Sequence, residues 1–287
     1  MPFTTLIDAA SLKKVLNGPQ SAVVDCRFDL MKPDAGHLAY LAGHIPTARY
    51  ADLNKDLSAP ITPDSGRHPL PAPATFAGTL DRLGIANDTQ VIVYDDSAGA
   101  FAARLWWMLR WVGHTAVAVL DGGFPAWILA GGAVASGEEL PVHRNGQGGR
   151  FVPHSDGLAV IGTAEIAARL GNARFVLVDA RAAERFTGSI EPIDTLAGHV
   201  PGAVNQPYSE NLTQEGRFLP AGELRRLWLA RLEGKEPSNV AAMCGSGVTA
   251  CHNLLALEVA GLGGAKLYAG SWSEWIRDSS RPIARGP

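Results

Sequence analysis

Cysteine is scarce in this chain: Cys26, Cys244 and Cys251 are the three among 287 residues. So odd and sparse a set builds no disulfide framework, and the spacing contains no C-x2-C pair, so the thiols read as reduced and no metal site is expected. Charge is scarce too. Charged residues make up 18% of the chain, the formal net charge is −3, and no run of Lys and Arg forms a basic stripe. That removes the electrostatic case for nucleic acid or an anionic membrane as partner. Apolar runs are broken by charge or glycine well short of the roughly 20 residues that a membrane-spanning helix needs. The opening stretch "MPFTTLIDAASLKKVL" has no charged region followed by an apolar core, so no secretory signal and a cytoplasmic location are expected. No cofactor is expected either.

What is present is an ordinary globular balance, with 46% apolar residues, enough to bury a good core in one or two domains. The chain also repeats itself. "AVVDCR" (22–27) returns as "VLVDAR" (176–181), and "GHIPTARY" (43–50) as "GHVPGAVN" (198–205). "TQVIVYDDSAGAFAARLWW" from Thr89 matches "SNVAAMCGSGVTACHNLLA" from Ser238, and "LDGGFPAW" (120–127) matches "YAGSWSEW" (268–275). Four matches in one order at nearly constant offsets mark a duplicated domain rather than a short solenoid repeat. The segment 137–158, rich in Gly, Pro and polar residues, reads as the linker. It separates an N-terminal domain, 1–136, from a C-terminal domain, 159–287.

Each copy has the same expected order. A short helix ("SLKKVLN", "TAEIAARLG") precedes a buried strand ("SAVVDC", "RFVLVD") and the GH-[IV]-P turn. A longer helix follows, with Phe76, Leu80 and Leu83 in one copy and Leu224, Leu227 and Leu232 in the other at helical spacing. Pro220 sits where the first turn of a helix tolerates it. A second buried strand ("QVIVYD", "NVAAM"), a loop, a helix and a third short strand ("AVAVLD", "AKLYA") complete the copy. Apolar strands alternating with helices predict an α/β fold with a mainly parallel sheet in each domain. Ligands of such sheets sit beyond the carboxyl ends of the strands, which is where Cys244 falls.

The loop after Cys244, "CGSGVT", joins a strand end to a helix start. Gly245 and Gly247 permit backbone conformations closed to other residues, so successive N–H groups can turn inward. With the helix N-terminus behind them, they form a cup for negative charge. A thiolate in such a cup is favoured: an ordinary cysteine titrates at about 8.5, while helix N-termini and cationic neighbours bring the value down to roughly 3.5–7.5. Ser246 and Thr249 add hydroxyls that can donate to an anion or pass a proton. The same residues also suit a buried strand-end cysteine beside an ordinary turn.

"CGSGVT" resembles the active-site loop of the 3-mercaptopyruvate sulfurtransferases in the rhodanese superfamily, and "VDAR" and "GHVPGA" resemble that family's other signatures. The duplication is similar to the tandem members, in which only the C-terminal domain carries the cysteine. The resemblance implies two tandem rhodanese-like domains, the first non-catalytic, since Asp95-Asp96 stands where the second has Cys244. It implies sulfur transfer from a small-molecule donor through a Cys244 persulfide to a thiol or cyanide, the acceptor including thioredoxin-like proteins. The Asp25/Arg27 and Asp179/Arg181 pairs are expected to brace loops. Gly245, Gly247, Val248 and Thr249 are the expected binding residues of the loop, and Ser246 and His68 (in "HPLP") the expected proton relay. Arg185, in "RAAERFTG", is the expected carboxylate ligand, against a plain ion pair with Glu184 or Glu191.

Two positions depart from the mercaptopyruvate pattern. Asn54 stands where the relay aspartate best matches, between Asp52 and Asp56, and Ile193 follows Glu191-Pro192 where a second arginine is usual. Weaker mercaptopyruvate binding or another donor is therefore expected. Gly245-Ser246 adds no charge, whereas thiosulfate-type members resemble one another in carrying Arg-Lys there, so 3-mercaptopyruvate is the expected donor and thiosulfate the alternative. A phosphatase of this fold needs an arginine where the chain has Ala250, and a non-enzymatic binding module usually lacks the cysteine. Cys26, Cys251, His44, His199, Trp106, Trp107 and Trp111 read as structural.

Overall fold

The computed structural model describes residues 2–16, 18, 20–139, 150–154 and 157–287. They divide into two compact units. The first comprises Met1–Ala59, Pro71–Gly157 and Glu215–Arg217; the second comprises Pro60–Leu70, Leu158–Gln214 and Phe218–Pro287.

In the first unit the chain runs β1 (Leu6–Ile7), α1 (Ala9–Val15), β2 (Ser21–Asp25), α2 (Ala35–Ala42), β3 (Arg49–Tyr50) and α3 (Pro73–Arg82). It continues through β4 (Gln90–Tyr94), α4 (Ala102–Trp111), β5 (Val117–Leu120) and α5 (Gly123–Leu129). Local chemistry starts these helices. The Asp8 carboxylate accepts from the Ser11 N–H at 2.8 Å to cap α1, and Pro73 opens α3, where its missing N–H costs nothing. Every strand pairing is parallel, in the order β1-β5-β4-β2-β3. The central strands lack in–out alternation because both faces of a parallel sheet are covered: Val91 to Tyr94 and Val117 to Leu120 are all buried.

The second unit runs α6 (Thr163–Ala168), β6 (Val176–Asp179), α7 (Ala183–Thr187), β7 (Val204–Asn205) and α8 (Ala221–Leu232). Then follow β8 (Val240–Met243), α9 (Thr249–Val259), β9 (Lys266–Leu267) and α10 (Ser271–Trp275). Its parallel sheet has the order β7-β6-β8-β9, and Val160 makes a parallel bridge to Leu267 where the first unit has β1. The two sheets therefore share one topology, as the duplication predicts. Its core joins Ile161, Ile166, Leu177 and Met243 to Trp272 and Trp275.

Details differ from expectation where the pattern was thin. On α8 the buried line is Leu224, Trp228 and Leu232, one turn apart, with Leu227 half-buried. Trp106 and Trp107 are core residues, whereas Trp111 is half-buried at the end of α4.

The signature pairs brace each copy in the same way. Arg27 grips the Asp25 carboxylate and donates to the Gly43 carbonyl at 2.6 Å; Arg181 grips Asp179 and donates to the Gly198 carbonyl at 2.8 Å. Each arginine thus ties a strand end to a Gly-His turn. Within those turns His44 stacks on Tyr40 and His199 on Phe186, with ring centres 4.2 and 3.8 Å apart.

The chain between β3 and α3 does not stay with its own copy. Residues 60–70 group with the second unit, although the sequence places them in the N-terminal domain. The Arg67 N–H donates to Ser273 Oγ at 3.1 Å, the Ser65 carbonyl accepts from Arg277 Nε at 3.2 Å, and Gly66 lies too close to the Gly270 carbonyl for a side chain. Of the expected linker 137–158, residues 140–149 and 155–156 lie outside the described residues. Residues 151–154 pack along the first unit: Val152 exchanges two hydrogen bonds with the Asn87 amide, and the Phe151 N–H donates to Asp81.

Candidate active site

Cys244 follows the last residue of β8 and is buried. Three residues at the start of α10 hold it. The Cys244 N–H donates to Ser271 Oγ at 3.0 Å, its carbonyl accepts from the Trp272 N–H at 3.0 Å, and the Gly245 carbonyl accepts from the Ser273 N–H at 2.9 Å. The loop then turns through Gly247, whose φ of +76° and 2.5 Å approach of a would-be Cβ to the Ala269 carbonyl both demand glycine. Cys251 Sγ donates to the Gly247 carbonyl at 3.3 Å and so takes part in the loop's support from the first turns of α9.

Helix α9 begins at Thr249 with Val248 as its cap. The first N–H groups of any helix lack partners inside it. Among the described residues no backbone acceptor is hydrogen-bonded to the N–H groups of Ser246, Val248, Thr249 or Ala250. They, with the helix dipole behind them, make the end of β8 a place that favours an anion.

Around this cup stand the side chains singled out in the sequence. His68 Nδ1 lies 2.7 Å from Ser246 Oγ, and both residues are buried. Arg185 sits on α7 and makes a fork to Glu191, 2.9 to 3.2 Å on four contacts, and a 2.9 Å bond to Asp194. Burial works against the Glu191 charge. The N–H groups of Asp194 and Ile193 and the Arg185 guanidinium outweigh it and lower the pKa. Burial dominates at Asp194 and raises its pKa, with Arg67 and Arg185 pulling the other way. Burial also opposes the Arg181 charge, but Asp179, Glu191 and the Cys244 sulfur raise its pKa above the ordinary value.

The model of the rhodanese-like domain matches residues 8–130 and 163–278. The chain is 47% identical over 288 residues, all of both chains, to a "Probable 3-mercaptopyruvate sulfurtransferase" of Pseudomonas aeruginosa. It is 36% identical to the thiosulfate sulfurtransferase of Gallus gallus, covering 81% of this chain and 78% of that one. Its fold superposes on the 3-mercaptopyruvate sulfurtransferase from Leishmania major with a TM-score of 0.82 at 32% identity, over 95% of this chain and 74% of that one.

The chain belongs to the rhodanese family. It is a sulfurtransferase with two rhodanese-like domains.

The first rhodanese-like domain shows the loop with its charge built in. Asp95 aligns with Cys244 and is fully buried. Its carboxylate accepts from the N–H groups of Ser97 and Gly99 on one oxygen and of Phe101 and Ala102 on the other, at 2.8 to 2.9 Å. Burial pushes the Asp95 pKa up and these four donors pull it back, leaving it raised. Ala98 holds φ at +55°, the left-handed turn that Gly247 makes in the second domain.

Of the residues expected at the site, Cys244, Gly245, Ser246, Gly247, Val248, Thr249, Arg185 and His68 are brought together in the second unit. His68 arrives there because segment 60–70 does. The candidates for an acidic relay member have local partners: Asp52 caps the N–H groups of Asn54 and Lys55, and Asp56 accepts from the Asp52 N–H and pairs with Arg82. The sequence reading missed Arg67, Ser271 and Asp194. Arg67 was visible beside His68 in "RHPLP", but nothing in its spacing from Cys244 announces that the two meet.

Proposed function

We propose that the protein moves a sulfane sulfur from 3-mercaptopyruvate to a thiol or to cyanide through a persulfide on Cys244. The Cys244 thiolate attacks the donor's sulfur. A sulfur–sulfur bond forms, the carbon–sulfur bond breaks, and its electron pair leaves on the carbon as the enolate of pyruvate. That carbon takes a proton, which Ser246 gives and His68 replaces. In the second half a thiolate or cyanide attacks the outer sulfur and Cys244 leaves as thiolate. Splitting the transfer in two predicts ping-pong kinetics. The N–H groups of the loop stabilise the anionic outer sulfur as an oxyanion hole stabilises oxygen, and Arg185 holds the donor carboxylate as a planar fork.

One observation carries the choice of donor: the 2.7 Å contact between Ser246 and His68. A buried hydroxyl–imidazole pair whose serine lies in a loop without a cation of its own suits a leaving group that needs a proton. Sulfite, the leaving group of thiosulfate, needs none. Thiosulfate remains the second reading, because Ile193 leaves the position after Glu191-Pro192 without its arginine and a relative bears that donor's name.

Steady-state kinetics with both donors test this. The expected result is a higher kcat/KM for mercaptopyruvate, with Cys244→Ser inactive on both and one added sulfur on the Cys244 peptide by mass spectrometry. Faster turnover of thiosulfate overturns the donor, and activity in Cys244→Ser overturns the mechanism.

A further inference from the structure

Linker residues 150–154 lie along the first unit, just ahead of Leu158, where the second unit resumes. Three backbone donors fasten them: the Phe151 N–H to Asp81 at 2.8 Å, the Val152 N–H to Asn87 Oδ1 at 2.9 Å, and the His154 N–H to the Val112 carbonyl at 2.9 Å. Just beyond, Gly157 approaches the Arg110 and Trp111 carbonyls at the end of α4 too closely for a side chain. Phe151 is the buried residue of this stretch, and its ring meets that of His114, with centres 5.9 Å apart and planes at 60°. His114 is 3% exposed, and its Nε2 is buried without a hydrogen-bond partner. A neutral imidazole tolerates such a place. An imidazolium would bury a charged N–H against Phe151 with no acceptor to receive it. Burial accordingly lowers the His114 pKa from its ordinary 6.5, although the backbone at Ala116 and Thr89 and the Asp88 charge pull it up.

We propose that His114 is an acid-sensitive catch for the linker: when its ring takes a proton, Phe151 lifts away and residues 150–154 leave the first unit. The sign follows from the two states. With the linker released, water reaches the ring and the proton binds at histidine's ordinary value; with the linker docked, it binds less readily. Docking is therefore at full strength above about pH 6.5 and weakens as pH falls, by up to about tenfold for each pH unit until the docked ring also protonates. The charged groups around this corner, among the described residues, are Asp88 beside the ring, Asp81 on the Phe151 N–H, and Arg150 and His154 at the exposed ends of the stretch. Asp88 opposes the catch, because it favours the imidazolium in the docked state, and burial outweighs it. The linker's attachment to the first unit thus depends on pH independently of the chemistry at Cys244.

Hydrogen exchange of the whole chain, read by mass spectrometry and corrected for the intrinsic pH dependence of amide exchange, tests this between about pH 7.5 and about pH 5. The amides of residues 151–154 are expected to lose protection about 10-fold or more relative to those of β4, which report global opening. In His114→Gln and His114→Asn, neither of which titrates, that ratio should stay flat with pH. His154→Gln, at the exposed end of the stretch, should behave as the parent does. A parent ratio that does not change with pH overturns the proposal. So does the same fall in both His114 variants, or a fall that His154→Gln abolishes, which would pass the effect to that histidine. Loss of protection in β4 together with the linker marks global unfolding and overturns a local catch.

Discussion

Ser246 is the residue on which the two donor readings part. Its hydroxyl lies two positions beyond Cys244 and 2.7 Å from His68 Nδ1, the group proposed to supply its proton. A positioned proton donor contributes typically about 10²- to 10⁴-fold. That factor applies only where the departing group needs the proton. Ser246→Ala is therefore expected to cut kcat for mercaptopyruvate at least about 10²-fold while thiosulfate turnover stays within several-fold. His68→Gln should follow the same split more mildly, because it leaves the hydroxyl in place. Equal losses on both donors in stopped-flow persulfide formation would show that the pair shapes the loop instead. The residue types of this couple were legible in the sequence, since Ser246 lies in the loop itself. Its geometry was not, because His68 reaches the loop across 178 positions of chain, and no local period encodes that closure.

At the scale of elements, the start of α10 explains how the loop after β8 is held. Ser271 is wholly buried at φ +54°, a conformation that side chains avoid. The first unit makes the same turn with Gly123 at φ +60°, and there the Phe124 N–H bonds the Asp95 carbonyl as Trp272 bonds that of Cys244. The second unit accepts strain at this turn because the Ser271 hydroxyl accepts from the Cys244 N–H and donates a hydrogen bond to the Tyr268 carbonyl at 2.8 Å. Both Ser271→Gly and Ser271→Ala leave the Cys244 N–H without that acceptor, costing about 1–3 kcal/mol. Glycine also relieves the strain, so urea unfolding should rank the parent above Ser271→Gly and Ser271→Gly above Ser271→Ala. The gap between the two variants should be about 1 kcal/mol. Elsewhere an alanine ordinarily outranks a glycine; that order here would refute the strain argument. The long strands were readable as apolar runs, whereas β1, β3 and β7 have two residues each and carry no period. Ser271 was also beyond reach, since a backbone angle leaves no mark on composition; only its alignment with Gly123 in the other copy hints at it.

Across the whole molecule, the duplication was the most legible property, because four repeated segments fix one topology twice. What it hid is that the copies exchange chain: segment 60–70 leaves the first unit and carries Arg67 and His68 into the second. The comparison of copies also shows what the loop requires. Where the second unit has the sulfur proposed as nucleophile, the first has a carboxyl group whose two oxygens occupy the cup. Asp95→Asn tests that equivalence. An amide presents one oxygen and one NH2 group, so two of the four N–H donors from Ser97, Gly99, Phe101 and Ala102 would face a donor instead of an acceptor. Each buried group left unsatisfied costs about 1–3 kcal/mol, and the substitution should destabilise the protein by about 2–4 kcal/mol in urea. The raised pKa of Asp95 adds a pH dependence with a definite sign. A carboxyl that holds its proton more tightly when folded stabilises the fold below its unfolded pKa, and loses that contribution as pH rises through the folded value. Asparagine does not titrate, so the gap between parent and variant should be widest at low pH and narrow as pH rises above the carboxylate range. Native-state alkylation of Cys244 should proceed at the parent rate, because Asp95 serves its own loop. A variant as stable as the parent at every pH would mean that the four N–H groups do not depend on the carboxylate, and the first copy would then not be a filled version of the second.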